Sequence, residues 1–291
     1  MTYKCVVLSG GGPSFFFNVI GILETLVKQE QVVMDKVETV YACSSGSIAA
    51  AAVLLGYSWE DLKEYILDRP WDESLAPTII KGLSSNQFAV SCEELIGVLI
   101  FKLLDGKSLN RNITLSEFYK YTCVELNIVA TEIFKETKMI ETWFNHKTNP
   151  NLSLVKAIAM SSAIPFIFKP IIHEDGVYVD GGLTNNYPIN KPAYLKDEII
   201  GIGWENINLD SKKPEDLVES NHLLSKLLAE RIINGLNPQK SNSREYKIGC
   251  NDPVLGVWFK SLVSRDYRLS LYTKGERAAL SSVREHCSKN L

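Results

Sequence analysis

The stretch Tyr41–Leu55, YACSSGSIAAAAVLL, decides how the chain is read. A β-rich run, Val37–Cys43, ends at Ser44, and small residues then open a helix over Ser45–Leu55. Residues 42–46 spell A-x-S-x-G, the strand–turn–helix pattern of a nucleophile elbow with Ala42 in the usual place of the first glycine. Such a turn holds a serine Oγ clear of the chain only by forcing the backbone through a strained conformation. It also demands small neighbours two residues to either side. The helix behind the serine points its backbone N–H groups and positive dipole end at the same place. A serine at a helix start is equally well explained as an N-cap. On this stretch alone the two readings stand level.

Upstream, Lys4–Leu8 (KCVVL) is a short apolar strand broken by Ser9-Gly10-Gly11-Gly12, and a helix follows over about 15–29. Strand, glycine turn and helix suggest a phosphate cradle. No G-K-[ST] follows, however, and the spacing is not G-x-G-x-x-G. Three glycines can instead turn successive N–H groups towards one point, as an oxyanion hole requires, or simply make a tight turn. Downstream, Val124–Ile133 and Met139–Phe144 read as a hairpin of strands, and Ser153–Met160 as a helix. A second hairpin, Ile171–His173 with Val177–Val179, delivers Asp180-Gly181-Gly182 at a strand end. Glu198–Trp204 is a late apolar strand, Glu245–Ile248 an edge strand, Pro214–Leu236 a long helix, and Ser270–Val283 a terminal helix interrupted by Gly275. Helices are also expected at Trp59–Leu67, Glu93–Leu104 and Leu115–Tyr121. This alternation argues for one α/β domain over 1–291, with the motifs in a core at 4–205 and helical or edge elements at 206–291.

Composition adds exclusions. A net charge of −3 makes no case for nucleic acid. Six cysteines, at 5, 43, 92, 123, 250 and 287, show no C-x-x-C pair and no zinc-ligand spacing, so no metal site is expected. Cys5 and Cys43 lie in expected buried strands, which suits small apolar core residues in a reducing compartment. No signal-peptide pattern and no run of 18 apolar residues is present. The expectation is an intracellular protein, soluble or peripherally attached to a membrane.

A serine nucleophile needs a base, and a carboxylate at a strand end between glycines can serve. The ordered set of Gly10-Gly11-Gly12, Ser44, Ala157–Pro170 (AIAMSSAIPFIFKP) and Val179–Pro188 (VDGGLTNNYP) resembles the patatin-like phospholipase family over about 4–205. The resemblance implies a three-layer α/β/α sandwich with a mostly parallel central sheet. It also implies hydrolysis of lipid acyl esters without metal or cofactor. Ser44 would be the nucleophile and Asp180 its partner in a dyad, with Gly10, Gly11 and Gly12 as oxyanion donors. Phe15 and Phe166 are the apolar residues expected to contact substrate. The partner is a lipid, with contact to a membrane surface open. The chain departs from the family pattern at Ala42, and at Ser14 and Phe15, which replace a basic residue and a glycine. Pro13 further removes one N–H donor. These departures leave room for a lipid-binding protein of low activity, and an acyl-enzyme could also yield to an alcohol. A Ser–His–Asp triad through His173 is a rival mechanism that motif order disfavours. The Pro-, Gly- and Ser-rich segment Arg69–Val90 is expected to be irregular. With the apolar helix Glu93–Leu104 it forms either a lid over the serine or, for the helix, part of the core.

Overall fold

The computed structural model describes residues 2–84, 90–133, 138–204, 243–248 and 260–289. The strands are β1 Cys5–Leu8, β2 Thr39–Cys43, β3 Glu125–Glu132, β4 Ile140–Phe144, β5 Ile171–His173, β6 Gly176–Asp180, β7 Ile199–Trp204 and β8 Arg244–Ile248. The helices are α1 Gly12–Lys28, α2 Ser45–Leu54, α3 Trp59–Asp68, α4 Trp71–Ser84, α5 Cys92–Gly106, α6 Leu115–Thr122, α7 Leu154–Ser162, α8 Gly182–Asn185 and α9 Arg265–Lys289.

All eight strands form one sheet. β8, β7, β1, β2 and β3 pair in parallel in that order, while β4 and β6 pair antiparallel with β3, and β5 with β6. The apolar strands alternate in what they face. Val6 and Leu8 of β1 point into the main core with α1, α2, α5 and α7. Cys5 and Val7 point to the opposite face, against Ile189, Ile199, Tyr187 and Tyr194. The fold is therefore mixed α/β, a central and mostly parallel sheet flanked by helices.

The register fixes the most important feature of the sheet. Ile128 and Val129 pair with both β2 and β4, so β2 and β4 occupy opposite edges of β3. Residues 130–132 pair with both β4 and β6, so β6 joins the edge that β2 occupies. Cys43 pairs with Val129, and Asp180 pairs with the next residue, Ala130. β6 thus meets the end of β2 head-on.

Several helices start as sequence chemistry dictates. Ser58, Ser91 and Ser153 accept hydrogen bonds from N–H groups of the first turns of α3, α5 and α7, and Thr114 forms a capping box with Glu117 at α6. The structure corrects three expectations, at the start of α1, at residues 71–84 and at Gly275, and it decides the open alternative for α5. Helix α1 begins at Gly12 rather than near Phe15, so the last glycine of the turn is the first residue of the helix. Residues 71–84 are helical, not irregular. Pro77 and Gly82 read as breakers, but buried Trp71 and Leu75 anchor the segment, and Trp71 Nε1–H donates to the Ile66 carbonyl. Helix α5 belongs to the core: Ile96, Ile100, Leu103 and Leu104 are buried, and it packs on α7 and α2. The expected helix Pro214–Leu236 and the hairpin turn at 135–137 lie outside the described residues.

Gly275 does not interrupt the terminal helix. It lies inside α9, where a Cβ would stand 2.2 Å from the Asn18 carbonyl of α1; Gly21 of α1 faces the Tyr272 carbonyl at 2.3 Å in the same way. The two helices cross backbone to backbone through these glycines. Gly275→Ala should force them apart and cost about 1–3 kcal/mol despite its better helix propensity. Urea denaturation would check this; an unchanged or raised midpoint would contradict the close crossing.

Candidate active site

Ser44 adopts φ 49° and ψ −126°, a region L-residues rarely occupy. Its side chain makes no cap bond to α2, in contrast to Ser58, Ser91 and Ser153. Instead the Ser44 Oγ–H donates to Asp180 Oδ2 at 2.7 Å. The head-on meeting of β2 and β6 brings these groups together across 136 residues of sequence. The elbow also explains its glycine. A Cβ at Gly46 would stand 2.5 Å from the Ser9 carbonyl oxygen and 2.8 Å from that of Leu8. The close neighbour of Gly46 is thus the end of β1, while Ala42 is fully buried in β2.

Asp180 is fully buried. Its second oxygen, Oδ1, accepts from the Gly182 N–H at 2.7 Å. Burial pushes its carboxyl up from 3.8 to about 6, opposed by the hydrogen bonds from Ser44 and Gly182. Backbone bonds hold it in place: Asp180 N–H donates to the Ala163 carbonyl, and its own carbonyl accepts from Thr131 Oγ1. The rival base, His173, instead sits on the β5–β6 hairpin, with its Nε2 3.9 Å from the Glu174 carboxylate.

The glycine turn lies against the serine, since a Cβ at Gly10 would stand 3.0 Å from Ser44 Cβ. Its three N–H groups are not equivalent. Gly10 N–H donates to the Asn186 carbonyl, and the Asn186 side-chain amide returns a bond to the Gly10 carbonyl at 3.3 Å. Gly10 is therefore committed to a structural pair. Among the described residues the N–H groups of Gly11 and Gly12 have no hydrogen-bond partner. Gly12 takes φ 70°, which needs glycine. Phe15 is fully buried with its ring stacked on Trp204 at 4.7 Å, so it supports the turn from beneath and offers no open wall. Phe166 is the opposite case, 90% exposed with φ 69° on the segment after α7.

Two residues inside the quoted motifs gained no role from sequence reasoning. Ser161 Oγ accepts the Ser44 N–H at 2.8 Å, and Asn186 clamps Gly10 as described. Their signal was present in AIAMSSAIPFIFKP and VDGGLTNNYP, but a serine and an asparagine in such runs carry no spacing rule of their own. Among the described residues, no group of three His, Cys, Asp or Glu side chains could hold a metal ion. No described helix is long and apolar enough to cross a membrane.

A model of the family described as Patatin-like phospholipase matches residues 6–193. The chain belongs to the patatin-like phospholipase family. It is 28% identical over 293 residues to the probable lipid hydrolase 463L of Invertebrate iridescent virus 6, covering 99% of this chain and 91% of that protein. It is also 28% identical to the uncharacterized protein R571 of Acanthamoeba polyphaga mimivirus, over 70% of this chain and 66% of the other. Among solved structures, VipD from Legionella pneumophila shares 16% identity at a TM-score of 0.48, covering 94% of this chain and 67% of VipD. The type III effector ExoU shares 14% at 0.48, covering 97% of this patatin-like chain and 53% of ExoU.

The buried carboxylate has a consequence for stability. A carboxyl raised above its unfolded value costs stability at pH values above its folded value, and that cost vanishes below the unfolded one. Asp180→Asn should therefore be more stable than wild type at pH 8, by up to about 3 kcal/mol. The difference should shrink as the pH falls towards 4. Denaturation midpoints of the two proteins at both pH values would check this; a variant less stable at pH 8 would contradict it.

Proposed function

We propose that this patatin-like protein is a lipid acyl hydrolase in which Ser44 and Asp180 act as a catalytic dyad without a metal ion. The observation that carries the reading is the 2.7 Å hydrogen bond from Ser44 Oγ–H to buried Asp180 Oδ2 at a strained elbow. The family membership and the viral relative named a probable lipid hydrolase support the substrate class.

In this reading Ser44 Oγ attacks the acyl carbonyl carbon while its proton passes to Asp180 Oδ2. The free N–H groups of Gly11 and Gly12 hold the oxyanion that forms, next to the positive end of α1. Collapse of the tetrahedral intermediate breaks the ester C–O bond, and the leaving alcohol takes the proton back from Asp180. Water then attacks acyl-Ser44, gives its proton to Asp180, and the restored Ser44 hydroxyl leaves with that proton. A base near 6 is ionised at pH 7 yet still basic enough to accept a proton in the transition state. Exposed Phe166 contacts the acyl chain or the lipid surface that delivers it.

Hydrolysis of short- and long-chain acyl esters tests the dyad. Ser44→Ala and Asp180→Asn should each lower kcat on the order of 10³-fold or more, and Ser44→Ala should abolish labelling by a fluorophosphonate. Wild-type rates in both variants would end the reading. Asp180 must be ionised to accept the proton, so kcat/KM should fall as pH drops through about 6. A profile flat from pH 8 to pH 5 would exclude Asp180 as the base. Chelator should leave the rate unchanged, and added alcohols will show in the products whether acyl transfer competes with hydrolysis.

A further inference from the structure

We infer that Ser161 is a positioning residue for the nucleophile. It is fully buried in the last turn of α7, and its two oxygens reach Ser44 and the residue that follows Asp180. Ser161 Oγ accepts the N–H of Ser44 at 2.8 Å, and the Ser161 carbonyl accepts the N–H of Gly181 at 3.1 Å. One residue of α7 therefore ties down both the elbow and the residue after Asp180. The inference rests on the reading of Ser44 and Asp180 as a dyad.

The physical need is specific. The strained conformation of Ser44 persists only if its surroundings over-determine it. The bonds at the Ser44 carbonyl, from the N–H and hydroxyl of Ser47, fix the helix side of the turn. Ser161 fixes the strand side. Without that acceptor a buried N–H is left unsatisfied, and the backbone before Ser44 is free to turn towards an ordinary conformation. The Oγ would then swing away from Asp180 and from the N–H groups of Gly11 and Gly12. The neighbouring Ser162 provides an internal comparison: its buried hydroxyl has no hydrogen-bond partner among the described residues.

The test uses the full chain, a soluble short-chain ester and a fluorophosphonate. Ser161→Ala should lower kcat roughly 10- to 100-fold with KM within about twofold, and should slow labelling at Ser44 by the same factor. Ser161→Thr, which keeps the acceptor, should recover most of both rates, and Ser162→Ala should stay within about twofold of wild type. If Ser161→Ala does not fold, Ser161→Cys, with a poor acceptor of similar size, should show the same loss. Three results would overturn the inference: wild-type kcat and labelling in Ser161→Ala or Ser161→Cys, a rise in KM alone, or an equal loss in Ser162→Ala. Ser44→Ala separates the two levels. If it retains activity, the dyad reading itself falls; if it is inactive while Ser161→Ala is fully active, only the role of Ser161 falls.

Discussion

Asp180 sits where a carboxylate is costly, sealed from solvent and held by one hydroxyl and one backbone N–H. Much of the surrounding structure keeps that arrangement in place. Thr131 fixes the Asp180 carbonyl, the end of α7 accepts the N–H groups of residues 180 and 181, and Gly181 leaves room for the Val129 carbonyl, which a Cβ would meet at 2.3 Å. The cost in stability and the capacity to take a proton near neutral pH have one cause, which is burial. Natural proteins retain such costs at sites that work.

The sheet supplies the geometry. Parallel strands β1, β2, β3 and β7 end on one side, as doubly flanked sheets require, and glycine turn and elbow both lie at those ends. A parallel strand beside Ser44 would carry its own connection past the site. The antiparallel β6 instead comes from beyond the end of β2 and stops at Asp180. In that place Asp180 reaches the serine hydroxyl directly, with no histidine between them. The strained elbow, the buried charge and the switch from parallel to antiparallel pairing are three aspects of one local solution.

Four motifs widely spaced in sequence are joined pairwise by backbone and side-chain bonds. Asn186 ties the fourth to the first through Gly10, and Ser161 ties the third to the second through Ser44. Spacing shows that glycines can aim their N–H groups, but not that the Asn186 carbonyl takes the one from Gly10. Phe15 is a parallel case: only folding stacks Trp204, at the end of β7, against its ring. Within Arg69–Val90 the Pro, Gly and Ser residues argue locally against regular structure, whereas Trp71 and Leu75, which anchor the helix at 71–84, gain burial only in the folded chain.

By itself the sequence determined what depends on neighbours along the chain. Most of the strand and helix order and the small residues of the elbow follow from local periodicity and local sterics, and the ordered motifs carry the family resemblance. The choice between cap and nucleophile at Ser44 was beyond it, since both readings use the same few residues. The tertiary structure sends the Ser44 hydroxyl to Asp180 rather than to α2, which excludes the cap. It also decided which glycine N–H groups stay free, where the aromatic rings lie, and that α5 is core rather than lid. Each of these depends on groups far apart in sequence, and burial and hydrogen bonding between such groups exist only once the sheet has closed around them.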